Sequence, residues 1–398
     1  MVTTPRRDAP ADDVLVDGLL AAVAEQLDQP VPAGLEQVLR RVHRHRFLPD
    51  RIWQRDGSGG YEPVDRATEP DRWTAAAYSD EPLVTRFTDG LPSSSASMPS
   101  MVARMLLLAG LGESPPGPEA PGARVLEWGA GTGYNAALLC ALVGDRRVTT
   151  VELDPVLASE AQENLKATGY TPTVVVGDAA DCRPPGGPHD VVLATFSVDH
   201  IPPTWLTQVP SGGRIVTPWS SAWCTYGTLA LTSHQHGRAE GRFHSFASFM
   251  QMARPGTDRC GPAPGPAARG ADARQAVRSS TTLSPWAVAG GDLDTEFHIG
   301  LTVPGTAFAW DTSGEHAPTR LHVADTTDSW ATVDHDGLTS AAFTVTQAGP
   351  RRLWDEIATA HRHWEQLGRP GVDRYGLTVT GPTTTVWVDT PATAVTAF

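Results

Sequence analysis

Between residues 12 and 28 the apolar positions Val14, Leu15, Leu19, Ala22, Val23 and Leu27 recur near a 3.6-residue period behind an aspartate-rich start, which predicts a helix. A second helical pattern runs from Leu35 to about Arg46 and stops before Pro49. Residues 50–92 mix Gly, Pro, Asp and Thr and read as irregular, with short extended pieces around Leu83–Phe87. Pro99 then opens a helix, PSMVARMLLLAGLG, at a first-turn position where proline lacks only an N–H that would be unpaired anyway. The next block alternates. Strands are predicted at Arg124–Trp128, Val148–Leu153, Val174–Gly177, Asp190–Thr195 and Gly213–Pro218, with helices at Tyr134–Leu142 and Pro155–Thr168 and another before the last strand. Continuous apolar runs such as Val191–Ala194 suit strands buried on both faces, so the expectation is a doubly wound α/β domain around a parallel sheet.

Beyond about Gly237 the pattern changes. Residues 254–275 are rich in Pro, Gly, Ala and Arg and read as a linker or long loop. Short strand-like stretches follow at Phe297–Val303, Arg320–Val323, Ala342–Thr346, Leu377–Thr380 and Thr385–Val388, interrupted by one helix, Leu353–Leu367. Trp310, Trp330, Trp354 and Trp364 are expected to anchor the core of this α+β module. The resulting layout is an N-terminal helical cap with a substrate-side segment (1–92), the α/β domain (93–236), a linker (237–280) and the C-terminal module (281–398).

Charge removes one class of function. Acidic residues outnumber basic ones 45 to 31, and the formal charge of −14 disfavours binding a phosphate backbone, which rests on Lys and Arg. Lys166 is the only lysine, which excludes lysine Schiff-base chemistry almost everywhere. No run of about 20 apolar residues is present and no signal h-region follows the first arginines, so a soluble, cytoplasmic, monomeric chain is expected. Cys140, Cys182, Cys224 and Cys260 form no CxxC and read as isolated thiols. His234 with His236, and His361 with His363, lack a third partner and nearby carboxylates, so no metal is expected.

The strongest local signal is Val125-Leu126-Glu127-Trp128-Gly129-Ala130-Gly131-Thr132-Gly133-Tyr134, a strand running through a glycine-rich turn into a helix. Glycines there let a ligand approach the backbone, and the helix start presents free amides. Dinucleotide-binding turns look similar, so the loop does not decide the ligand alone. Downstream, Glu152-Leu153 ends the second strand, where a carboxylate can accept from a ribose diol; Asp178-Ala179 follows the third, where a carboxylate and an amide can face an adenine edge. Each acid could also be a plain strand-end cap. Together the three motifs resemble the cofactor side of class I, Rossmann-like methyltransferases that use S-adenosyl-L-methionine and release S-adenosyl-L-homocysteine.

Ahead of the loop, Ser94-Ser95-Ala96-Ser97-Met98-Pro99-Ser100 resembles the substrate-side motif of the protein-L-isoaspartate O-methyltransferase family, in which Thr-Ile-Ser, one variable residue and a proline precede a helix. Arg46–Pro49, Tyr78–Leu83, Ala194-Thr195, Ile201-Pro202 and Gly212–Pro218 follow the same family pattern, and the likeness covers about residues 30–235. The resemblance implies a cofactor site at Glu127, Gly129, Gly131, Gly133, Tyr134, Glu152, Leu153, Asp178, Ala179 and Thr195. It implies that Ser97, with Ser95, orients the substrate carboxylate, with Met98, Asp199 and His200 beside the substrate. The sequence departs from the pattern where Thr-Ile has become Ser95-Ala96, where Ser100 follows the proline, and in the bulkier Phe196–His200 loop; a module foreign to the repair enzymes follows residue 240. In Asp80–Val84, Ser94–Pro99 and the added C-terminal module the chain resembles relatives encoded with ribosomal peptide pathways of the lanthipeptide, lasso peptide and graspetide types. That implies esterification of an Asp side chain in a modified precursor peptide, followed by collapse to an aspartimide. Isoaspartyl repair, small-molecule methylation and a non-enzymatic binding role remain the competing readings.

Overall fold

A computed structural model describes residues 10–115, 122–246, 249–252, 276–312, 319–335 and 342–397. The chain forms two compact units: Phe196 and the described residues before it, with Pro202–Thr217 and Thr232–Gly237, make the first; Ser197–Ile201, Pro218–Leu231 and the described residues from Arg238 onward make the second.

The first unit opens with α1 (Pro10–Leu27) and α2 (Ala33–Arg41). The second helix was expected to reach Arg46. It stops five residues earlier, and a 3-10 turn, Arg44–Phe47, replaces its last turn so that Arg44 and Phe47 are both buried. Residues 50–92, expected to be irregular, form β1 (Arg51–Arg55), β2 (Tyr61–Asp65), α3 (Pro70–Ala77), β3 (Leu83–Thr88) and β4 (Leu91–Ala96). The four strands make an antiparallel sheet in the order β2-β1-β3-β4. Its strands are polar on much of their surface, and the β1–β2 turn is organised by Asp56, whose Oδ1 accepts from the N–H groups of Ser58 and Gly60, both at 2.9 Å. Half-exposed strands joined by Gly- and Asp-rich turns carry too few apolar positions to show a period of two.

After α4 (Pro99–Leu108) come β5 (Val125–Trp128), α5 (Tyr134–Val143), β6 (Val148–Glu152), α6 (Pro155–Ala167), β7 (Thr173–Val176), β8 (Val191–Ala194), α7 (Pro203–Leu206) and β9 (Arg214–Pro218). The five strands pair in parallel in the order β9-β8-β5-β6-β7, as the sequence predicts. All four residues of β5 and of β8 are buried, the signature of strands covered on both faces. Trp128 of β5 stacks on Trp205 of α7, their centroids 6.0 Å apart and planes 14° from parallel. The chain leaves β5 toward β6 and β7, then returns to β8 on the other side. The carboxyl ends of β5 and β8 therefore flank the topological switch point, where open α/β sheets bind ligands.

In the second unit β10 (Thr228–Ser233), β11 (Arg238–His244), β17 (Tyr375–Thr380), β18 (Thr383–Val388) and β19 (Ala394–Ala397) are successive neighbours. A separate antiparallel sheet has the order β12-β16-β15-β14-β13, from β12 (Val277–Thr281), β13 (Thr306–Asp311), β14 (Thr319–Asp325), β15 (Trp330–His335) and β16 (Phe343–Ala348). Three helices complete the unit: α8 (Trp286–Ala289), α9 (Leu293–Thr302) and α10 (Leu353–Gln366). Residues 297–303, expected to be a strand, lie mostly in α9. Asp292 decides this by capping the helix, its Oδ1 accepting from the N–H groups of Asp294 at 3.1 Å and Thr295 at 3.3 Å. The stretch 237–280 carries β11 and the larger part of β12 at its two ends, while most of its Pro/Gly-rich interior, and Cys260 with it, lies outside the described residues. Trp330, Trp354 and Trp364 are buried; Trp310 is partly exposed and donates from Nε1 to the Ala289 carbonyl at 2.7 Å. No described helix is long and apolar enough to cross a membrane.

Candidate active site

The glycine turn sits at the end of β5 with three left-handed glycines, Gly129 at φ 91°, Gly131 at φ 53° and Gly133 at φ 93°. Gly129 has a second reason to lack a side chain. A Cβ there would lie 2.5 Å from Thr195 Oγ1, which donates to the Gly129 carbonyl at 2.7 Å and so ties the ends of β5 and β8 together. At Gly131 a Cβ would be in ordinary van der Waals contact with Ser94 Oγ and the Ser95 carbonyl, both 3.8 Å away, and would meet nothing nearer. The segment carrying the substrate-side motif thus lies directly against the middle of the glycine turn.

Glu152 ends β6 and reaches the same turn. Its Oε2 accepts from the Gly131 N–H at 2.9 Å, and its Oε1 accepts from the N–H groups of Leu153 at 2.9 Å and Asp154 at 3.2 Å. Burial raises its pKa, and these three amide donors pull it back down. Next along, Asp154 caps α6 with Oδ1 2.8 Å from the Val156 N–H, and Pro155 takes the first helical position. Asp178 follows β7 and turns the chain with Oδ1 accepting from the Ala180 N–H at 2.8 Å, while the Ala179 carbonyl accepts from Trp205 Nε1 at 2.8 Å.

Glu127 and Tyr134, both expected to face the cofactor, lie inside the protein. Glu127 is fully buried, with Oε1 accepting from Asn135 Nδ2 and Oε2 from Thr150 Oγ1, each at 2.6 Å. Its carboxylate therefore ties β5 to α5 and β6 beneath the turn. Tyr134 packs against Phe47, centroids 5.7 Å apart, and its buried hydroxyl has no hydrogen-bond partner among the described residues. Burial lifts the Glu127 pKa to about 7; bonds from Thr150 and Asn135 oppose this and Glu152 adds to it.

The sign of the resulting pH dependence follows directly. A carboxyl whose folded pKa is raised contributes stability that is fully present below its unfolded value and lost as pH rises through about 7. Wild type is expected to lose about 2–3 kcal/mol more than Glu127→Gln between about pH 5 and about pH 8. Urea midpoints at both pH values test this, and parallel profiles for the two proteins would refute it.

On the substrate side, Ser95 pairs with Val84 in the β3–β4 hairpin, and Ser97 and Met98 lead from β4 into α4. Both serines are half-buried, and neither hydroxyl forms a hydrogen bond among the described residues. What fixes this segment is Arg44, which the sequence reading missed. Its guanidinium is fully buried and donates to the carbonyls of Ser79 at 3.1 Å, Glu81 at 2.8 Å, and Ala96 and Ser97 at 3.0 Å each. Burial lowers its pKa to about 10, with Tyr134, Asp80 and Glu81 working against that, so it stays charged near neutral pH. Asp80, also missed, accepts from the Ser100 N–H at 2.8 Å and sets the first turn of α4. Nothing in the run His43-Arg44-His45-Arg46 distinguishes the buried arginine from its neighbours. Asn135 did leave a signal: it is the one polar residue in the apolar helix YNAALLCALV, and a lone buried amide needs a partner.

Asp199 and His200 belong to the second unit. His200 Nδ1 lies 2.5 Å from Asp199 Oδ1, and both side chains are exposed. Among the described residues no group of three or more His, Cys, Asp or Glu is placed to hold a metal ion.

Residues 36–236 match the family model described as Protein-L-isoaspartate(D-aspartate) O-methyltransferase (PCMT). Among proteins named Protein-L-isoaspartate O-methyltransferase, that of Ignicoccus hospitalis is 38% identical over 187 residues, 46% of this chain and 82% of that protein. The one from Methanopyrus kandleri is 36% identical over 186 residues, spanning 67% of its length. With the Thermotoga maritima protein the identity is 37% over 143 residues, and the aligned stretch spans 42% of that protein. A solved structure of the same title superposes with a TM-score of 0.53 at 20% identity, covering 94% of this chain and 100% of its own. At that identity the match shows a shared fold, and its coverage takes in residues on both sides of residue 240. The chain is an enzyme of the protein-L-isoaspartate(D-aspartate) O-methyltransferase family.

Proposed function

We propose that the chain is an S-adenosyl-L-methionine-dependent O-methyltransferase that esterifies an Asp side chain in a modified ribosomal precursor peptide, the ester then closing to an aspartimide. The observation that carries the methyl-transfer reading is the juxtaposition within the first unit: Ser94 and Ser95 lie directly against Gly131, and Glu152 buttresses the same turn. The donor set fits the cofactor. Glu152 and Asp178 offer carboxylate acceptors at consecutive strand ends, and a left-handed glycine leaves room where a side chain would intrude. When bound, the cofactor would supply an electrophilic methyl group on a sulfonium.

The chain's own residues have a limited task. An Asp carboxylate is already ionised near neutral pH, so no general base is needed. What remains is alignment and exclusion of water. The hydroxyls of Ser97 and Ser95 would donate hydrogen bonds that orient the substrate carboxylate. A neutral hydroxyl is suited to this, because a charged donor would bind the carboxylate more strongly and blunt it as a nucleophile. Arg44, holding the Ser97 carbonyl, would act as a positioning residue. Once the side chain is a methyl ester, attack by the next backbone nitrogen forms the imide C–N bond and expels methanol.

The peptide-tailoring assignment draws on Asp80–Val84, Ser94–Pro99 and the C-terminal module, whereas the relatives' names favour isoaspartyl repair. The two are separated by following an isoaspartyl hexapeptide and a cyclised precursor from the gene's neighbourhood by mass spectrometry with S-adenosyl-L-methionine. Gain of one methylene and later loss of methanol on the precursor alone is the expected result; turnover of the hexapeptide alone would make the chain a repair enzyme. Ser97→Ala is expected to lower kcat about 10- to 100-fold on the true substrate with little change in cofactor affinity, the loss of one neutral orienting donor.

A further inference from the structure

Ligands of a parallel α/β sheet gather at its carboxyl edge, where the glycine turn, Glu152 and Asp178 stand. The opposite edge holds a cavity of about 230 Å³. Arg124 stands one residue before β5, Arg146 and Arg147 immediately before β6, Thr173 opens β7, and His189 lies two residues before β8; all of them line this cavity, together with Thr149. Four strand starts thus converge on one site within the first unit.

Its chemistry is one-sided. The formal charge of the chain is −14, yet three arginines line this cavity and no carboxylate is among the described lining residues. Arginines stay protonated at any physiological pH, and neighbouring ones repel unless an anion lies between them. His189 also lines the cavity, only 1% exposed, and neither of its ring nitrogens has a hydrogen-bond partner among the described residues. Thr149, by contrast, already donates to the Pro185 carbonyl at 3.4 Å, and the Arg124 backbone N–H is taken by Asp190 Oδ2 at 2.8 Å. The groups left for a ligand are the guanidiniums of Arg124 and Arg146 and the remaining N–H groups of Arg147, whose Nη1 already donates to the Gly122 carbonyl.

We propose that this cavity is an oxyanion site that takes a phosphate group, held by the guanidinium groups of Arg124, Arg146 and Arg147. Arginine forks match the oxygens of a tetrahedral anion in geometry as well as charge. The volume is below the roughly 300 Å³ at which organic-ligand pockets begin, so the site fits a phosphate or a small phosphoester and not a whole nucleotide. It is separate from the methyl-transfer site, because it lies at the amino ends of the strands whose carboxyl ends carry the glycine turn and the two acids.

The test uses the full chain, calorimetric melting, and inorganic phosphate titrated against sodium chloride at matched ionic strength. A ligand that binds only the folded state raises the melting temperature in a saturable way. Phosphate is expected to do so beyond the chloride control. The double variant Arg124→Gln/Arg146→Gln is expected to weaken this response at least ten-fold. Both side chains are exposed, so the variant is expected to fold, and unchanged far-UV circular dichroism checks that. Glycerol 3-phosphate run alongside distinguishes the sources: saturation at lower concentration than phosphate assigns a phosphoester, and equal or weaker binding assigns the free ion. No shift beyond chloride, or an equal shift in the double variant, would overturn the proposal.

Discussion

Arg44→Leu is expected to destabilise the chain by about 3–5 kcal/mol, the cost of removing one partner from a buried charged network. Four carbonyls now share the guanidinium, and none of them gains a new donor when it is replaced by an apolar side chain. Asp80 adds to the loss, since its buried carboxylate stands near that positive charge and one of its oxygens is already without a partner. Arg44→Lys separates charge from geometry. An ammonium keeps the charge but cannot reproduce a planar fork to four carbonyls of two separate segments, so an intermediate loss is expected. Both variants are read by urea denaturation, with constant m-values confirming that the same surface is exposed. A loss below about 1 kcal/mol for the leucine variant would mean that solvent replaces the guanidinium and that the Ser97 segment is held by other contacts.

The second large effect falls on cofactor binding. Glu152→Ala is expected to weaken S-adenosyl-L-homocysteine at least 100-fold, about 3 kcal/mol, while the chain stays folded. Two losses combine. The carboxylate that would accept from the ribose diol is gone, and the Gly131, Leu153 and Asp154 amides lose the acceptor that sets the turn. Hydrogen bonds to a charged acceptor contribute about 1.5–3 kcal/mol each, so even partial loss reaches this size. Glu152→Gln keeps one carbonyl acceptor and should fall between. Isothermal titration with the folded variants measures both. An affinity within five-fold of wild type for the alanine variant would remove Glu152 from the cofactor site.

The place of the glycine turn and of the strand-end acids was legible because it is local in sequence. The turn Gly129–Gly133 lies within five residues, and its glycines announce backbone angles that other residues rarely adopt. Glu152 and Asp178 each close an apolar strand, so their place at the carboxyl edge followed from the strand pattern alone. Burial on both faces of β5 and β8 likewise left a continuous apolar run that only a covered sheet explains. Glu127 was misread for the complementary reason: its strand-end position looked the same, but whether a carboxylate points toward the ligand or into the core depends on partners eight and 23 residues away.

The substrate side depended on contacts that no local pattern encodes. The sequence by itself determined the parallel α/β sheet, the glycine turn and the order of the strand-end acids, because periodicity, burial and turn chemistry act within a few residues. Only the tertiary structure decided that Arg44 closes over the carbonyls of Ala96 and Ser97, more than fifty residues away, and that four strand starts bring three arginines and a buried histidine to the lining of one cavity. A buried ion is stable only where distant backbone dipoles converge on it, and that convergence is a property of the folded chain.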